Sequence, residues 1–438
     1  APQEFPVDVC VVGGGSGGVG AAMAAARGGA RTLLVEAADM LGGTSTRAWV
    51  SNWEPVDGAL GLPREIYEAM ARLPRAVVHP DYTTGGKRIG GDGLPFEPWA
   101  YDQVVREKLS AAGCILWMNS RFVSAEAAGG RVKSILVRTP WGEQRITANV
   151  FVDSTADAYV CRDAGCETML GAEPRERFGE PSAPEKPERQ LNAITLCYRI
   201  RNTGERQMPE DLPPPPRPAA FMQPCPNGDV VVNCVGMIDG AELLDLTYEE
   251  LREKAEELVR RHLAWLQREK GFETWQLVGI APVLGVRESY RVVGEYVLTE
   301  TDVRGGLRRQ AHPDIVAIAD HPLDTHGPKS KLEEVSGPYG VPFRCLVPKG
   351  WRNLLVASRA ASFSHIAASS CRLSRTIMIL GYAAGTAAAI AVSERIDPRN
   401  VPIELLRARL KEHGVKLEDG PEGHPKGEVR RLSFSVLP

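Results

Sequence analysis

The sequence predicts an α/β fold, with parallel-sheet segments and a part of mixed β-sheet plus helix. Three observations predict it. A buried strand, a glycine-rich turn and an Ala-rich helix follow one another over residues 7–28, and a second strand follows at 32–36. A short apolar strand at 354–357 precedes another Ala- and Gly-rich helix near the end of the chain. Between these two parts the composition shifts twice into charged, Pro-rich stretches, at 171–190 and 201–218.

Each element has its own warrant. Residues 7–12 are an apolar run, the pattern of a strand buried on both faces. Residues 17–28 are helical and 32–36 are a second run, so a βαβ unit fits in about 30 residues. Residues 98–112 read as an amphipathic helix. Residues 115–125, 132–139 and 144–148 read as strands of a hairpin-rich layer, and 150–153 as a further buried strand, followed by a helix to about 165. The two Pro-rich stretches read as exposed loops on either side of a strand at 191–200. In the long helix 247–270, Thr247 and Glu250 have capping-box spacing, and Leu251, Ala255, Leu258, Val259, Leu263 and Leu266 mark the apolar face. Residues 290–298 alternate as a strand does, 374–393 form the Ala-rich helix, and 401–413 form a last amphipathic helix.

The 438 residues are enough for two or three domains at roughly 150 residues each. A net charge of −3 argues against a nucleic-acid partner, because no basic surplus is there to neutralise phosphates. The nine cysteines show no CxxC, so reduced thiols are expected, with no disulfide framework and no metal site. Residues 376–393 carry no charge, and their Ala and Gly content reads as a packed internal helix, not a membrane span. The chain opens on Ala1 and not on Met, so cytoplasmic and exported readings both stand.

The glycine run explains itself through a ligand. Gly13-x-Gly15-x-x-Gly18 lies between strand and helix. Gly13 permits the turn, Gly15 lets backbone approach a pyrophosphate held on helix N–H groups, and Gly18 lets helix and strand pack closely. Glu36 closes the second strand 18 residues after Gly18, where a carboxylate can accept ribose hydroxyls. Together these predict a Rossmann-like, dinucleotide-binding domain.

Further blocks narrow the reading by resemblance. Gly42, Gly43 and Thr44 resemble the Gly-Gly-hydroxyl step of FAD enzymes of the glutathione-reductase-like superfamily, which carries the chain past the pyrophosphate toward the flavin. Residues 152–157, VDSTAD, are similar to that superfamily's ATG motif, with Ala156 where glycine is usual. Arg121-Phe122-Val123 resembles the strand whose backbone meets adenine. The segment NLLVASRAASFSHIAASSCRLSRTIMILGYAAGTAAAIA resembles the closing segment of a bacterial FAD-dependent oxidoreductase family, a strand followed by GR-x-x-S-x-x-H, S-x-R and a helix with G-x-AAG-x-AA. Ser358-Arg359 replaces Gly-Arg, while Ser362, His365, Ser370, Arg372, Gly381, Ala384 and Gly385 fall on pattern. Asn52-Trp53-Glu54-Pro55, Arg287-Glu288-Ser289 with Arg291, Asp324-x-His326 and Tyr339-Gly340-x-Pro342 resemble further blocks of that family. The resemblance implies FAD as cofactor. It implies Gly13, Gly15, Ser16, Gly17, Gly18, Glu36, Ala37, Gly42, Gly43, Thr44, Val123, Ser154, Thr155, Ala156, Arg359, Ser370 and Arg372 as its contacts.

The expected organisation is a discontinuous FAD-binding domain (1–187 and 330–400), a substrate domain (188–329), and a C-terminal helix and tail (401–438). A flavin takes hydride from a C–H bond, and the protein supplies positioning, a base and nearby charge. His365, Arg372, Asp324 and His326 are the candidate catalytic residues, and Trp53, Arg287 and Arg291 the candidate substrate contacts. The expected reaction is hydride transfer from a small polar molecule, with oxygen, a quinone or a protein carrier as acceptor. A lyase or isomerase without net redox, and a non-catalytic flavoprotein, are the alternatives. Oligomeric state and covalent attachment of FAD are left open.

Overall fold

The computed structural model describes residues 2–84, 93–326, 333 and 335–418. The expected βαβ unit is present as strand Gln3–Val12, helix Ser16–Arg27 and strand Thr32–Val35. These strands join a seven-stranded sheet, with Ile115–Trp117, Thr32–Val35, Gln3–Val12 and Gly142–Asp153 adjacent and parallel. The hairpin strands Arg121–Ala128 and Arg131–Thr139 extend the sheet antiparallel. The late strand Leu354–Val356 returns to pair in parallel with Phe151, Val152 and Asp153.

Several expected boundaries move. Residues 144–148 and 150–153 belong to one strand, Gly142–Asp153. Its first half pairs with the hairpin and its last three residues with Leu354–Val356, so the change of pattern marks a change of neighbour. The expected strand 115–125 breaks at Asn119, whose φ of 52° turns the chain. The expected strand 191–200 divides between two sheets, with Ile194–Thr195 on Gly285–Val286 and Tyr198–Asn202 in a four-stranded sheet. Of 290–298 only Arg291–Val292 is strand, because its amides find scattered partners: Val292 N–H donates to Ala360 O and Leu298 N–H to Ser362 O. The stretch 171–190 is not wholly exposed: Glu173 and Glu180 are buried among polar partners.

The four-stranded antiparallel sheet runs Ala220–Pro224, Val230–Cys234, Tyr198–Asn202, Trp275–Ile280. Helix Tyr248–Glu269, which carries the Thr247–Glu250 capping box, shares with it a separate hydrophobic core of residues between 194 and 284. The larger core holds residues from 7–161 and 292–417.

Helix Ser374–Glu394 packs along helix Ser16–Arg27 at glycine contacts. A Cβ on Gly17 would lie 1.9 Å from Ala357 O, and one on Gly381 would lie 1.9 Å from Gly17 O. No side chain fits there, so these backbones close together at the tip of the sheet. Ser374–Glu394 is the one described helix long and apolar enough to cross a membrane, and 83% of that window is buried inside the protein.

Candidate active site

The parallel strands end in a cleft of about 1210 Å³. Gly15, Ser16 and Gly17 line it at the N-terminus of helix Ser16–Arg27, and Arg372, Leu373 and Ser374 line it at the N-terminus of the Ala-rich helix. Two helix dipoles therefore present their positive ends to one space. Gly43 and Thr44, Ser154 and Ala156, Arg359, Trp53, Arg287 and His326 complete the part of the wall that the sequence had singled out.

The phosphate end fits FAD. Gly13 has φ 98°, and a Cβ there would stand 2.6 Å from Ser154 O, so only glycine makes this turn. A Cβ on Gly15 would meet nothing nearer than Gly43 Cα at 4.0 Å, which leaves a bare backbone face open to a ligand. Ser154 Oγ is buried with no hydrogen-bond partner among the described residues, as a group awaiting a ligand would be. Glu36 lies just outside this wall and accepts hydrogen bonds from Gly14 N at 2.6 Å and Ala38 N at 2.7 Å. Burial raises its pKa against the pull of those two bonds. Gly18, Ala37, Gly42, Val123 and Thr155 also lie outside the wall, and a Cβ on Gly18 would strike Gly13 O at 1.7 Å.

The opposite end collects charge. His326 stands in the left-handed region at φ 48°, which His adopts more readily than most side chains, and it lines the cleft. Its Nε2 is 2.9 Å from Asp324 Oδ2, and its backbone N–H donates to Asp324 Oδ1 at 3.2 Å. Burial, and then the Arg287 charge, push the His326 pKa down to about 4, although Asp324 pulls the other way. Burial raises the Asp324 carboxyl, but the bond from His326 and the nearby cations outweigh it and hold it at about 2. At neutral pH the pair is a neutral imidazole on a carboxylate. The carboxylate assigns the proton to Nε2 and leaves Nδ1 with its lone pair.

Arg287 and Arg372 share this end. Arg287 donates through Nη1 to Ala193 O and Thr195 Oγ1, both at 2.8 Å. Burial, and then Arg372, bring its pKa down to about 10, so it stays a cation. Arg372 Nε is buried without a partner among the described residues. Glu54, 38% exposed, faces the same cleft beside His321 Nε2 at 3.2 Å. Burial would raise Glu54, but His321, Arg372 and His326 pull it well below the usual carboxylate range.

Three expected site residues lie elsewhere. His365 lines a second cavity of about 1110 Å³, with its Nδ1 3.0 Å from Glu288. Arg291 is 0% exposed, donates to Glu173 Oε1 at 2.5 Å and pairs with Glu288 at 3.0 Å. The Ser370 hydroxyl donates to His321 O at 2.6 Å and meets Tyr339 OH at 2.6 Å, so it braces a loop. Cys371 is fully buried, and burial raises its thiol to about 12, far from a thiolate.

The sequence reading passed over Arg375, which lines the cleft from the first turn of the Ala-rich helix. It donates to Thr83 O at 3.0 Å, to Tyr82 OH at 3.1 Å and to Glu54 O, and lies 5.9 Å from the centre of the Trp53 ring. A cation at a helix N-terminus opposes the dipole, and that misplacement was the available signal. Phe221 and Asn233 reach the cleft from the four-stranded sheet and Thr195 from the pairing with Gly285–Val286, and no local pattern marks them.

Comparison with known proteins agrees with the glycine-rich end. No curated protein matches the chain. Among solved structures, a geranylgeranyl bacteriochlorophyll reductase-like protein from Thermoplasma acidophilum is similar, with 14% identity and a TM-score of 0.49, over 94% of this chain and 85% of that one. The flavin-dependent brominase Bmp2 shares 13% identity at a TM-score of 0.49, over 93% and 84%. CabE, an aromatic hydroxylase from angucycline biosynthesis, shares 14% at 0.48, over 93% and 65%. These likenesses are remote. The family model for FAD dependent oxidoreductases, by contrast, matches residues 8–410. The chain is a member of the FAD dependent oxidoreductase family, and FAD is its cofactor.

Proposed function

We propose that the protein is a dehydrogenase or oxidase that removes hydride from a small polar organic molecule. The observation that carries this reading is the neutral His326 held on Asp324 at 2.9 Å, in the same cleft as the glycine-rich turn. FAD, when bound, accepts a hydride from a C–H bond at its N5. Gly15, Ser16 and Gly17 would hold the pyrophosphate on the helix N-terminus, with Gly43 and Ser154 beside it. The positive end of helix Ser374–Glu394 faces the cleft and would stabilise negative charge developing beside it. His326 Nδ1 would take the O–H or N–H proton of the substrate, and Asp324 would stabilise the imidazolium so formed. Trp53, 2% exposed, walls the cleft and helps to exclude water. Oxygen, a quinone or a protein carrier would reoxidise the flavin. The order of the sequence blocks supports placing the chain in the bacterial, glutathione-reductase-like branch of such enzymes.

The test is the flavin band of the purified protein, followed anaerobically with sugars, hydroxy acids and amines. Bleaching by one class, reversed by oxygen or a quinone, is expected. Tight binding and stoichiometric oxidation of NAD(P)H would overturn the assigned acceptor, and turnover with no acceptor consumed would replace hydride transfer with a lyase or isomerase reaction.

A further inference from the structure

Among the described residues the charges around the cleft do not balance. Four guanidiniums line it, those of Arg287, Arg359, Arg372 and Arg375, against one carboxylate, Glu54. Asp157 stands 3.2 Å from Arg359 and accounts for that cation. Arg375 gives its hydrogen bonds to the Glu54 and Thr83 carbonyls and the Tyr82 hydroxyl. Asp324 is engaged with His326. Even with Asp157, Asp324 and Glu54 all counted, the described cations outnumber the described carboxylates by one, and Arg287 and Arg372 line the same cleft close enough for their charges to oppose each other. Two like charges held together in a partly buried wall cost free energy unless an anion joins them. Arg372 Nε, buried and without a hydrogen-bond acceptor among the described residues, is a donor in need of one.

We infer that Arg287 and Arg372 form an anion subsite, and that the substrate of the proposed reaction carries a carboxylate that binds there. This rests on the oxidoreductase reading and adds its substrate class. A guanidinium fork matches a carboxylate in shape and charge. The subsite shares its end of the cleft with His326, so the carbon bearing the hydroxyl or amine would lie close to the carboxylate. The rival source of negative charge is the cofactor itself. Its pyrophosphate, however, has a place of its own at Gly15–Gly17, beside Ser154 and Gly43.

Binding can be read without turnover. The oxidised holoprotein is titrated with acetate, propionate, pyruvate and benzoate, each against its neutral amide, and the flavin absorbance is followed. At least one carboxylate is expected to give a saturable difference spectrum that its amide does not. Arg372→Gln and Arg287→Gln are each expected to raise the carboxylate Kd by about tenfold or more, with FAD content unchanged. Arg287 also holds Ala193 O and Thr195 Oγ1, so Arg287→Lys, which keeps the charge and loses the fork, is measured beside it. Equal binding of amides and carboxylates, or no response to any carboxylate, overturns the inference. So does loss of FAD from either variant, which would assign that arginine to the cofactor. A protein that binds these carboxylates but is bleached by nothing would keep the subsite and lose the oxidoreductase reading.

Discussion

His326 and His365 each stand beside a carboxylate, at 2.9 and 3.0 Å, and the two pairs have different surroundings. His326 lines the cleft, with cations around it that favour its neutral form. His365 is 3% exposed and lines the second cavity, and its partner Glu288 also serves Arg291 and the Asn192 amide groups. A place on the cleft and a depressed pKa suit the proton acceptor proposed for His326, and a carboxylate shared among several donors suits a structural joint. A histidine beside a carboxylate therefore identifies neither role until its surroundings are known.

The largest expected effect separates the two pairs. His326→Gln should lower the rate of anaerobic flavin reduction by about 10²–10⁴-fold, with the melting temperature and FAD content near those of the parent. His365→Gln should leave the reduction rate per folded molecule within a few-fold (an order-of-magnitude expectation). Equal losses in both would erase the distinction.

Next, Arg291→Met should leave Glu173 and Glu288 buried without their cation, and cost roughly 3–5 kcal/mol of stability. Urea unfolding measures it. A small cost would mean that the joint is not structural.

A third outcome concerns pH. His326 is pushed down to about 4 in the folded chain, so the acid limb of kcat/KM should lie well below the usual histidine range. The stability sign follows. Between a pH near 4 and one near the unperturbed 6.5, the unfolded chain takes up a proton that the folded one refuses. The contribution of His326 is thus whole above that window and is lost as pH falls through it. Arg287→Gln removes a cation that depresses this pKa and should move the acid limb upward, which a pH–rate profile would detect. The smallest effect is expected at Ser154→Ala, a rise in FAD Kd of about threefold to tenfold, or roughly 1 kcal/mol, by fluorescence titration of apoprotein, with folding unchanged.

The difference between the pairs also explains what could be read from the sequence. The turn from Gly13 to Glu36 was legible because its constraints are local: strand, turn, helix and acidic residue follow within one supersecondary unit. His365 looked as good as His326 because it stands nine residues before Ser374, at the start of the cleft-facing helix. Sequence proximity to that helix does not determine which side of the loop faces the cleft. Leu323 and Thr325 line the second cavity while His326 lines the first, so a single residue step changes the cavity that is served. The alternation at 290–298 was misleading for a related reason: buried Arg291 mimics the inward position of a strand, yet its neighbours bond to separate loops. Phe221 and Asn233 belong to a sheet far away in sequence, and only folding brings them to the cleft.

The glycine contact between the two long helices has a consequence for synthesis. Gly17 emerges from the ribosome early, and the backbone of Gly381, which it must meet, is made some 360 residues later. At about 5–20 residues per second, the wait is roughly 20–70 s. Through that interval the first strand and helix can form, but the groove on that helix has nothing to fill it. The edge of Gly142–Asp153 also lacks Leu354–Val356. A nascent chain stalled anywhere before that point would display an open sheet edge and an apolar helix face, the surfaces that chaperones bind and that aggregate when chaperones are scarce. Truncation before Leu354 should therefore produce insoluble protein, not a smaller flavoprotein.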